Sequence, residues 1–397
     1  MKILQVSNRV PWPLNEGGTI GIYNFTKAFS EAGHEVYLYC LDAFKHHTDI
    51  AAAEKELSKY AKLLIHPIDT DLKVTEAFKN LFANSSYNVD RFENESFKVE
   101  LSQLLDKFQF DVVQLEGTYA GPYVETIRSK HSGLLSLRMH NAEYEIWERL
   151  ASSSKNPLKK EYLNLLSKRL KQYEKGLIQK VDALVPVTQN DLDKFTNWNS
   201  NVPSMVAPAG IDLNYWKFNP SHGIYNWYHL GSLEWHANKE AVQWFLQEIF
   251  PELSSKYEKL RFHIAGKGLK SDEFQTTEQI HVMDYVEDAI EFVQELDVCL
   301  VPLLSGSGIR LKILEAMAAG KLVISTTIGA QGIECKHKEH LLIANNLDEF
   351  KSAVEYMINE PSQIKEMVQN AKALIEHKYS ISAVAEQLIE FYEECLK

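Results

Sequence analysis

Residues 305–320 read SGSGIRLKILEAMAAG, two serines and two glycines running into a helical apolar pattern. Arg310 and Lys312 fall in the first turn of that predicted helix. Cations are disfavoured there, because the unpaired N–H groups of a helix start carry a partial positive charge. An anion placed between the cations and the helix removes the conflict, and a pyrophosphate is such an anion. Lys312 and Glu315 are three apart and share a helix face. A cation for phosphates and an acceptor for sugar hydroxyls could then enter one pocket. The plainer alternative is a surface Lys312–Glu315 ion pair of roughly a few tenths of a kcal/mol, with Ser305 or Ser307 as a simple N-cap. No GK[ST] follows the glycines, so the stretch is not a P-loop, and it does not sit on a first strand–helix turn as a dinucleotide fingerprint would.

Such a helix start needs a strand to carry it. DVCLVPLL precedes it, making a strand–loop–helix element. The first half of the chain alternates strands and helices: KILQVSN, HEVYLYCLD, FDVVQLEG (110–117), GLLSLRMHN (133–141) and VDALVPVTQND (181–191) read as strands, and TIGIYNFTKAFSEAG as an amphipathic helix ending at Gly33. Short apolar runs separated by helices predict a parallel sheet covered on both faces. The pattern restarts with NWYHLGSL (226–233), a helix over ANKEAVQWFLQEIFPEL, then RFHIAGKG (261–268), QIHVMDYV, DVCLVPLL and KLVISTTIGA as strands. This is an α/β chain of two doubly wound units, 1–205 and 206–380, facing across a cleft at the carboxyl ends of their strands, where open α/β sheets put ligands. VAPAGIDLNYWKFNP (206–220), rich in Pro, Gly and aromatics, reads as the hinge; a last helix, about 381–397, is free to pack back on the first unit.

With these residues in view, the chain resembles the retaining glycosyltransferases of family 4, whose GT-B architecture is two Rossmann-like domains. LEAMAAG matches the family's helix motif, with Glu315 as the second of its two glutamates, while Ser307 stands where the first would be. A variant branch carrying GSG-I-R-L-K-ILEAMA is similar to this chain. In the family, basic residues that grip the pyrophosphate follow the glycine after the first strand of the second domain. Here that region, GSLEWHANKEA from Gly231, lacks the Arg…Lys pair and has only Lys239 nearby. The resemblance therefore implies that Arg310 and Lys312 take over that role, with Ser307, Gly308 and Ile309 beside the donor and Glu315 on its ribose hydroxyls. EGGTIGIYNFTKAFSEAGHEV (16–36) resembles the family's first loop, with Gly17 and Gly18 approaching the donor phosphate; a plain turn before a helix is the alternative. LRMHNAEYEIWERLA (137–151) resembles the segment whose histidine, here His140, contacts the donor sugar; a structural histidine is the alternative. FHIAGKG implies Gly266 and Lys267 beside the nucleotide, Lys267 being equally readable as solvated, and HVMDYVED implies Tyr285 and Val286 at the base. VPVTQNDLDKF and APAGIDLNYW match architectural segments, Pro208 and Gly210 shaping the hinge. Arg9, Glu116 and Tyr119, at first-domain strand ends, are candidates for the acceptor.

The implied reaction is transfer of a sugar, with retention, from a UDP- or GDP-linked donor to a hydroxyl of a glycan or lipid-linked acceptor, as in polysaccharide, cell-surface glycan or glycolipid synthesis. The leaving phosphate helps deprotonate the acceptor, so no enzymic nucleophile, metal or further cofactor is implied. Two rivals remain: a nucleotide-sugar epimerase, which needs acid/base groups at the sugar and no acceptor, and a non-catalytic partner subunit that binds nucleotide sugar. Product analysis with donor alone separates the first, and a donor-hydrolysis panel the second.

Composition narrows the setting. A chain of 397 residues, 45% apolar and 24% charged, is that of a globular protein of about two domains. A net charge of −12 argues against general nucleic-acid binding. Cys40, Cys299, Cys335 and Cys395 form no CxxC pair or zinc spacing and read as reduced thiols. MKILQVSNRV has too short an apolar run for a signal peptide, and no run approaches a membrane span, so a cytoplasmic location is expected. The stretch 155–180 holds eight Lys/Arg against two Glu. Its Leu158, Tyr162, Leu165, Leu166, Tyr173 and Leu177 have helical spacing. It reads either as a core-facing helix with a solvated basic back or as a helix lying on the inner face of an anionic membrane.

Overall fold

Two parallel sheets of six strands organise the chain, in the order β3-β2-β1-β4-β5-β6 and β12-β11-β10-β7-β8-β9. Numbered within each sheet, both orders are 3-2-1-4-5-6, the doubly wound arrangement. The computed structural model describes residues 1–397 apart from 15, 16, 47, 72, 74, 77–79, 81–84, 155, 200, 222, 269–273, 275, 284, 285 and 307. The chain divides into one unit of Met1–Gly210 with Val384–Lys397 and a second of Ile211–Ala383.

In the first unit the strands are β1 (Lys2–Ser7), β2 (Glu35–Ala43), β3 (Lys62–Ile68), β4 (Val112–Glu116), β5 (Leu134–Met139) and β6 (Ala183–Pro186). The central β1, β4 and β5 are almost wholly buried, as their apolar runs require when helices cover both faces. A polar row crosses them: Gln5 is opposite Gln114, and Gln114 opposite Ser136. Helix α1 (Gly17–Glu31) covers one end of the row, Thr26 Oγ donating to Gln5 Oε1 at 2.7 Å. It also buries Ile22, Phe25 and Phe29, each contributing about 1.5–3 kcal/mol of hydrophobic stabilisation. Helices α2 (Glu143–Ser153) and α3 (Pro157–Ile178) pack as a pair. The start of α2 has no cap from its own residues. Glu174 of α3 supplies one, accepting from the backbone N–H of Glu143 at 3.0 Å and the Thr118 hydroxyl at 2.8 Å. Burial pushes this carboxyl up to about 8.

Helix α3 is the basic stretch of the sequence, and its apolar side faces inward. Leu163, Leu166, Leu170 and Leu177 are buried, while Lys159, Lys160, Lys168 and Lys175 are exposed. Leu158 alone of the apolar set stands out, 84% exposed at the first turn. Among the described residues no helix is long and apolar enough to cross a membrane.

The second unit has β7 (Asn226–Leu230), β8 (Arg261–Ala265), β9 (Ile280–Met283), β10 (Val298–Val301), β11 (Leu322–Ser325) and β12 (Leu342–Ile343). Helix α4 (His236–Trp244) runs into a π-turn at Phe245–Ile249 and then Phe250–Lys256. Pro251 has no N–H to continue an α ladder, which locates the break. Helix α5 (Leu311–Ala318) follows β10.

Three details differ from the sequence reading. The edge strands β3 and β12 were not among the predicted strands; β3 is half-exposed and carries Lys62, His66 and Pro67, so it lacks an apolar run. VDALVPVTQND is a strand only to Pro186; Thr188 then caps a helix over Gln189–Thr196. Gly17 and Gly18 open α1 rather than precede it. The segment 206–220 holds no strand or helix, and the chain passes between units at Gly210–Ile211, where Asn24 Nδ2 donates to the carbonyls of Ala209 and Gly210 at 3.1 and 3.0 Å. The last helix, α6 (Ile381–Cys395), contributes Val384, Leu388 and Tyr392 to a core cluster of the first unit. Its Tyr392 hydroxyl reaches the polar row, donating to Gln114 Oε1 at 2.6 Å and lying 2.9 Å from Ser136 Oγ.

Candidate active site

The loops after β7 and β8 lie back to back at the carboxyl ends of their strands. Gly231 N–H donates to Ala265 O at 2.9 Å, and Leu233 N–H to Lys267 O at 2.8 Å. Both turns depend on glycine. Gly231 has φ +152° and Gly266 φ +146°, and a Cβ on Gly266 would lie 2.1 Å from the Gly231 carbonyl oxygen. A Cβ on Gly231 would lie 2.6 Å from Lys312 Nζ. The Lys312 ammonium therefore rests directly against this turn, although its Cα belongs to α5.

Arg310 is the N-cap of α5 and Lys312 its second residue, so only Lys312 lies in the first turn. The expected electrostatic conflict is relieved by moving the charges sideways. Lys312 Nζ donates to Asn238 Oδ1 at 3.1 Å and lies 3.2 Å from His229 Nε2. The Arg310 guanidinium donates to the Gly308 carbonyl and sits 5.7 Å over the Trp235 ring. Arg310 gives α5 no side-chain cap, and the Ile313 N–H donates to the Arg310 carbonyl at 2.9 Å; among the described residues the Leu311 and Lys312 N–H groups are left to receive an anion. Ser305, one of the expected caps, donates instead to Glu240 Oε2 at 3.0 Å.

The Lys312–Glu315 surface ion pair does not form: Lys312 turns to His229 and Asn238, and Glu315, half-buried, stays out of hydrogen-bond reach. Both groups lose water. Burial brings the lysine down to about 8, with Arg310 adding to the effect, and raises Glu315 to about 7 against the pull of Lys312. Ile309 packs on the domain core beside Leu311. Lys267 is exposed, 4.0 Å from Glu234 Oε2, as the solvated alternative has it. Val286 is half-buried beyond β9; Tyr285 and Ser307 lie outside the described residues.

In the first unit a second charged cluster forms at the ends of β4 and β5. Glu116 and Arg138 are register partners, 0% and 1% exposed. Glu116 Oε2 accepts from Arg138 Nη1 at 3.1 Å and from His140 Nε2 at 2.8 Å. Its Oε1 accepts from Gln5 Nε2 at 3.0 Å and from Gln114. Burial opposes ionisation here, but Arg138 and His140 overcome it and hold the carboxylate at about 2. Glu116 is thus saturated and sealed, which removes it from the expected acceptor contacts. His140 is pushed below the ordinary imidazole range by burial, against the Glu116 hydrogen bond. A neutral ring donating through Nε2 leaves the Nδ1 lone pair free to accept. That nitrogen faces α1: a Cβ on Gly18 would lie 3.6 Å from it. Gly17 and Gly18 supply first-turn N–H groups, so an anion site and a hydroxyl acceptor stand side by side.

Tyr119 donates to Glu143 Oε2 at 3.0 Å, and Arg9 follows β1 in a turn closed by Ser7. The expected residues therefore gather into two sets, Gly17, Gly18 and His140 in one unit, Gly231, Gly266, Lys312 and Glu315 in the other. Sequence reasoning missed His229, Asn238 and Arg138. None was singled out, although Arg138 lies in LRMHN and Asn238 in GSLEWHANKEA; only Arg138 had a signal, as a cation inside a buried strand, which demands a partner.

A family model described as Glycosyl transferases group 1 matches residues 226–360, from β7 through the helix after β12. A Klebsiella pneumoniae protein described as an uncharacterized 44.6 kDa protein in cps region is 25% identical, across 96% of this chain and 97% of its own. Among solved structures, Anabaena HepE in complex with UDP is similar at a TM-score of 0.65 and 12% identity, covering 99% of this chain and 100% of that one. A sucrose-phosphate synthase from Thermosynechococcus elongatus is similar at a TM-score of 0.69 and 13% identity, covering 99% of each. These structures establish the GT-B fold for the chain.

Proposed function

We propose that the protein is a retaining glycosyltransferase that moves a sugar from a UDP- or GDP-linked donor to an acceptor hydroxyl in glycan or polysaccharide synthesis. The observation that carries this reading is the Lys312 ammonium resting on the Gly231 turn, within the region matched by the group 1 family. The hard step is departure of a nucleoside diphosphate from the anomeric carbon. Lys312, Arg310 and the open N–H groups of α5 stabilise the charge that develops on it. Glu315 accepts from the ribose hydroxyls, and His140 Nδ1 accepts from a hydroxyl of the donor sugar. Gly17 and Gly18 approach the phosphate through their N–H groups. The departing phosphate takes the acceptor proton on the same face, so no side chain acts as nucleophile. The neighbours in complex with UDP and with UDP-glucose support the choice of donor class, and the Klebsiella relative in its cps region supports the glycan setting.

A thermal-shift screen of nucleotide sugars tests it, since a ligand that binds the folded state raises apparent stability. One donor is expected to stand out and to be consumed only when an acceptor is supplied, with retained anomeric configuration. Conversion of the donor sugar without acceptor would make the protein an epimerase. Binding of a donor with no turnover across an acceptor panel would make it a non-catalytic subunit.

A further inference from the structure

Lys312 is half-buried and cationic, yet its partners at the Gly231 turn are both neutral. A buried ammonium is ordinarily matched by a carboxylate, because desolvating a charge without compensation is costly. Glu315 is one turn away on the same helix and does not close on it.

Both neutral partners are locked in the orientation that receives an N–H. His229 is 0% exposed, and its Nδ1 lies 3.0 Å from the Leu300 carbonyl oxygen. A carbonyl only accepts, so Nδ1 carries the proton, and in a neutral ring Nε2 must then accept from Lys312. Burial, followed by the repulsion of Lys312, keeps the ring neutral. Asn238 is 4% exposed, and its Nδ2 donates to the Ser232 carbonyl at 2.8 Å. That bond fixes which way the amide faces and turns Oδ1 toward the ammonium. Two backbone carbonyls thus set two acceptors, and the two acceptors set the lysine. An ammonium has three N–H bonds; two are taken here, and the third has no partner among the described residues.

We propose that His229 and Asn238 are positioning residues for the donor diphosphate, holding the Lys312 ammonium on the Gly231 turn by two of its N–H bonds so that the third meets a phosphate oxygen. The negative charge that the site lacks is then the ligand's own. The cradle explains how a lysine from α5 serves a turn whose own stretch, from Gly231 into the first residues of α4 at Ala241, carries Lys239 as its one lysine or arginine. This inference rests on the reading of the second unit as the nucleotide-binding domain.

The test is titration of the full chain with UDP and with GDP, with uridine and guanosine as phosphate-free controls. The wild type is expected to bind one of the diphosphates. Lys312→Ala should weaken that diphosphate roughly 100-fold and leave its nucleoside unchanged. Asn238→Ala should weaken the diphosphate roughly 10-fold, again sparing the nucleoside. Asn238→Ala added to Lys312→Ala should cost nothing more, because Asn238 acts through the lysine. His229→Leu should behave as Asn238→Ala does; if it fails to fold, the Asn238 cycle decides alone. Wild-type diphosphate affinity in Asn238→Ala, an additive loss in the double variant, or a parallel loss of nucleoside binding overturns the positioning role while leaving the donor site standing. Binding of neither diphosphate by the wild type, or full affinity in Lys312→Ala, overturns the donor site and the positioning role together.

Discussion

The two units share a strand order and place a charged cluster at the same end of the sheet, but they balance its charge differently. In the first, Glu116 and Arg138 neutralise one another inside the protein, and Gln5, Gln114 and His140 fill the remaining lone pairs. In the second, Lys312 is held by dipoles alone, with its carboxylate neighbour out of hydrogen-bond reach. A closed cluster stabilises the fold. An open one stores an unmet charge for a ligand. Burial of a charge by itself distinguishes neither case; the test is whether an opposite charge of the protein itself stands within hydrogen-bond reach, as Arg138 does for Glu116 at 3.1 Å.

Breaking the closed cluster should give the largest change. Glu116→Ala leaves Arg138 buried without its counter-charge and should cost about 3–5 kcal/mol of stability in urea unfolding. A loss under 1 kcal/mol would mean the cluster is not closed. Acid should open the same lock. The Glu116 carboxyl is held at about 2 against an ordinary 4.5. A lowered acid contributes stability above pH 4.5 and loses it as pH falls toward 2, here up to about 3 kcal/mol. Glu116→Gln should lack that component of the acid slope.

The open cluster should answer in function rather than in stability. Lys312→Ala should cut transfer roughly 100-fold, about 3 kcal/mol of transition-state stabilisation, with unfolding changed by less than ~1 kcal/mol. Alkali gives a subtler signature. Lys312 is brought down to about 8 from 10.5, so between those values the unfolded chain binds the extra proton. This group therefore adds stability as pH rises from 8 to 10.5, while donor diphosphate affinity falls over the same range. Parallel slopes would contradict an unmet charge. The smallest effects are expected to be none. EDTA should leave transfer unchanged, because Lys312, Arg310 and α5 supply the positive charge. With the apolar side of α3 turned inward, the chain should not float with anionic vesicles at moderate salt; flotation would restore a membrane role for 155–180.

Much of the architecture was legible because buried parallel strands are apolar runs, as KILQVS and VVQLE are. The edge strand KLLIHPI was not, since one exposed face admits Lys62 and His66. Lys312 announced itself as a cation at a helix start, and Gly231 and Gly266 as glycines after strands. His229 and Asn238 gave no such sign. A histidine within a strand and an asparagine at the start of a helix acquire meaning only when β7, α4 and α5 converge. Glu116 misled for the converse reason: a carboxylate at a strand end suggests a ligand contact, whereas the register of β4 on β5 had already given it Arg138.

The polar row of the first sheet ends in Tyr392, on α6. During synthesis the ribosome completes every strand of both sheets before that tyrosine emerges. The amino-terminal domain must then wait, its Gln114 and Ser136 short of a partner, while the other half can finish folding first. A premature stop before Val384 would therefore be felt furthest away in sequence, at the domain made earliest.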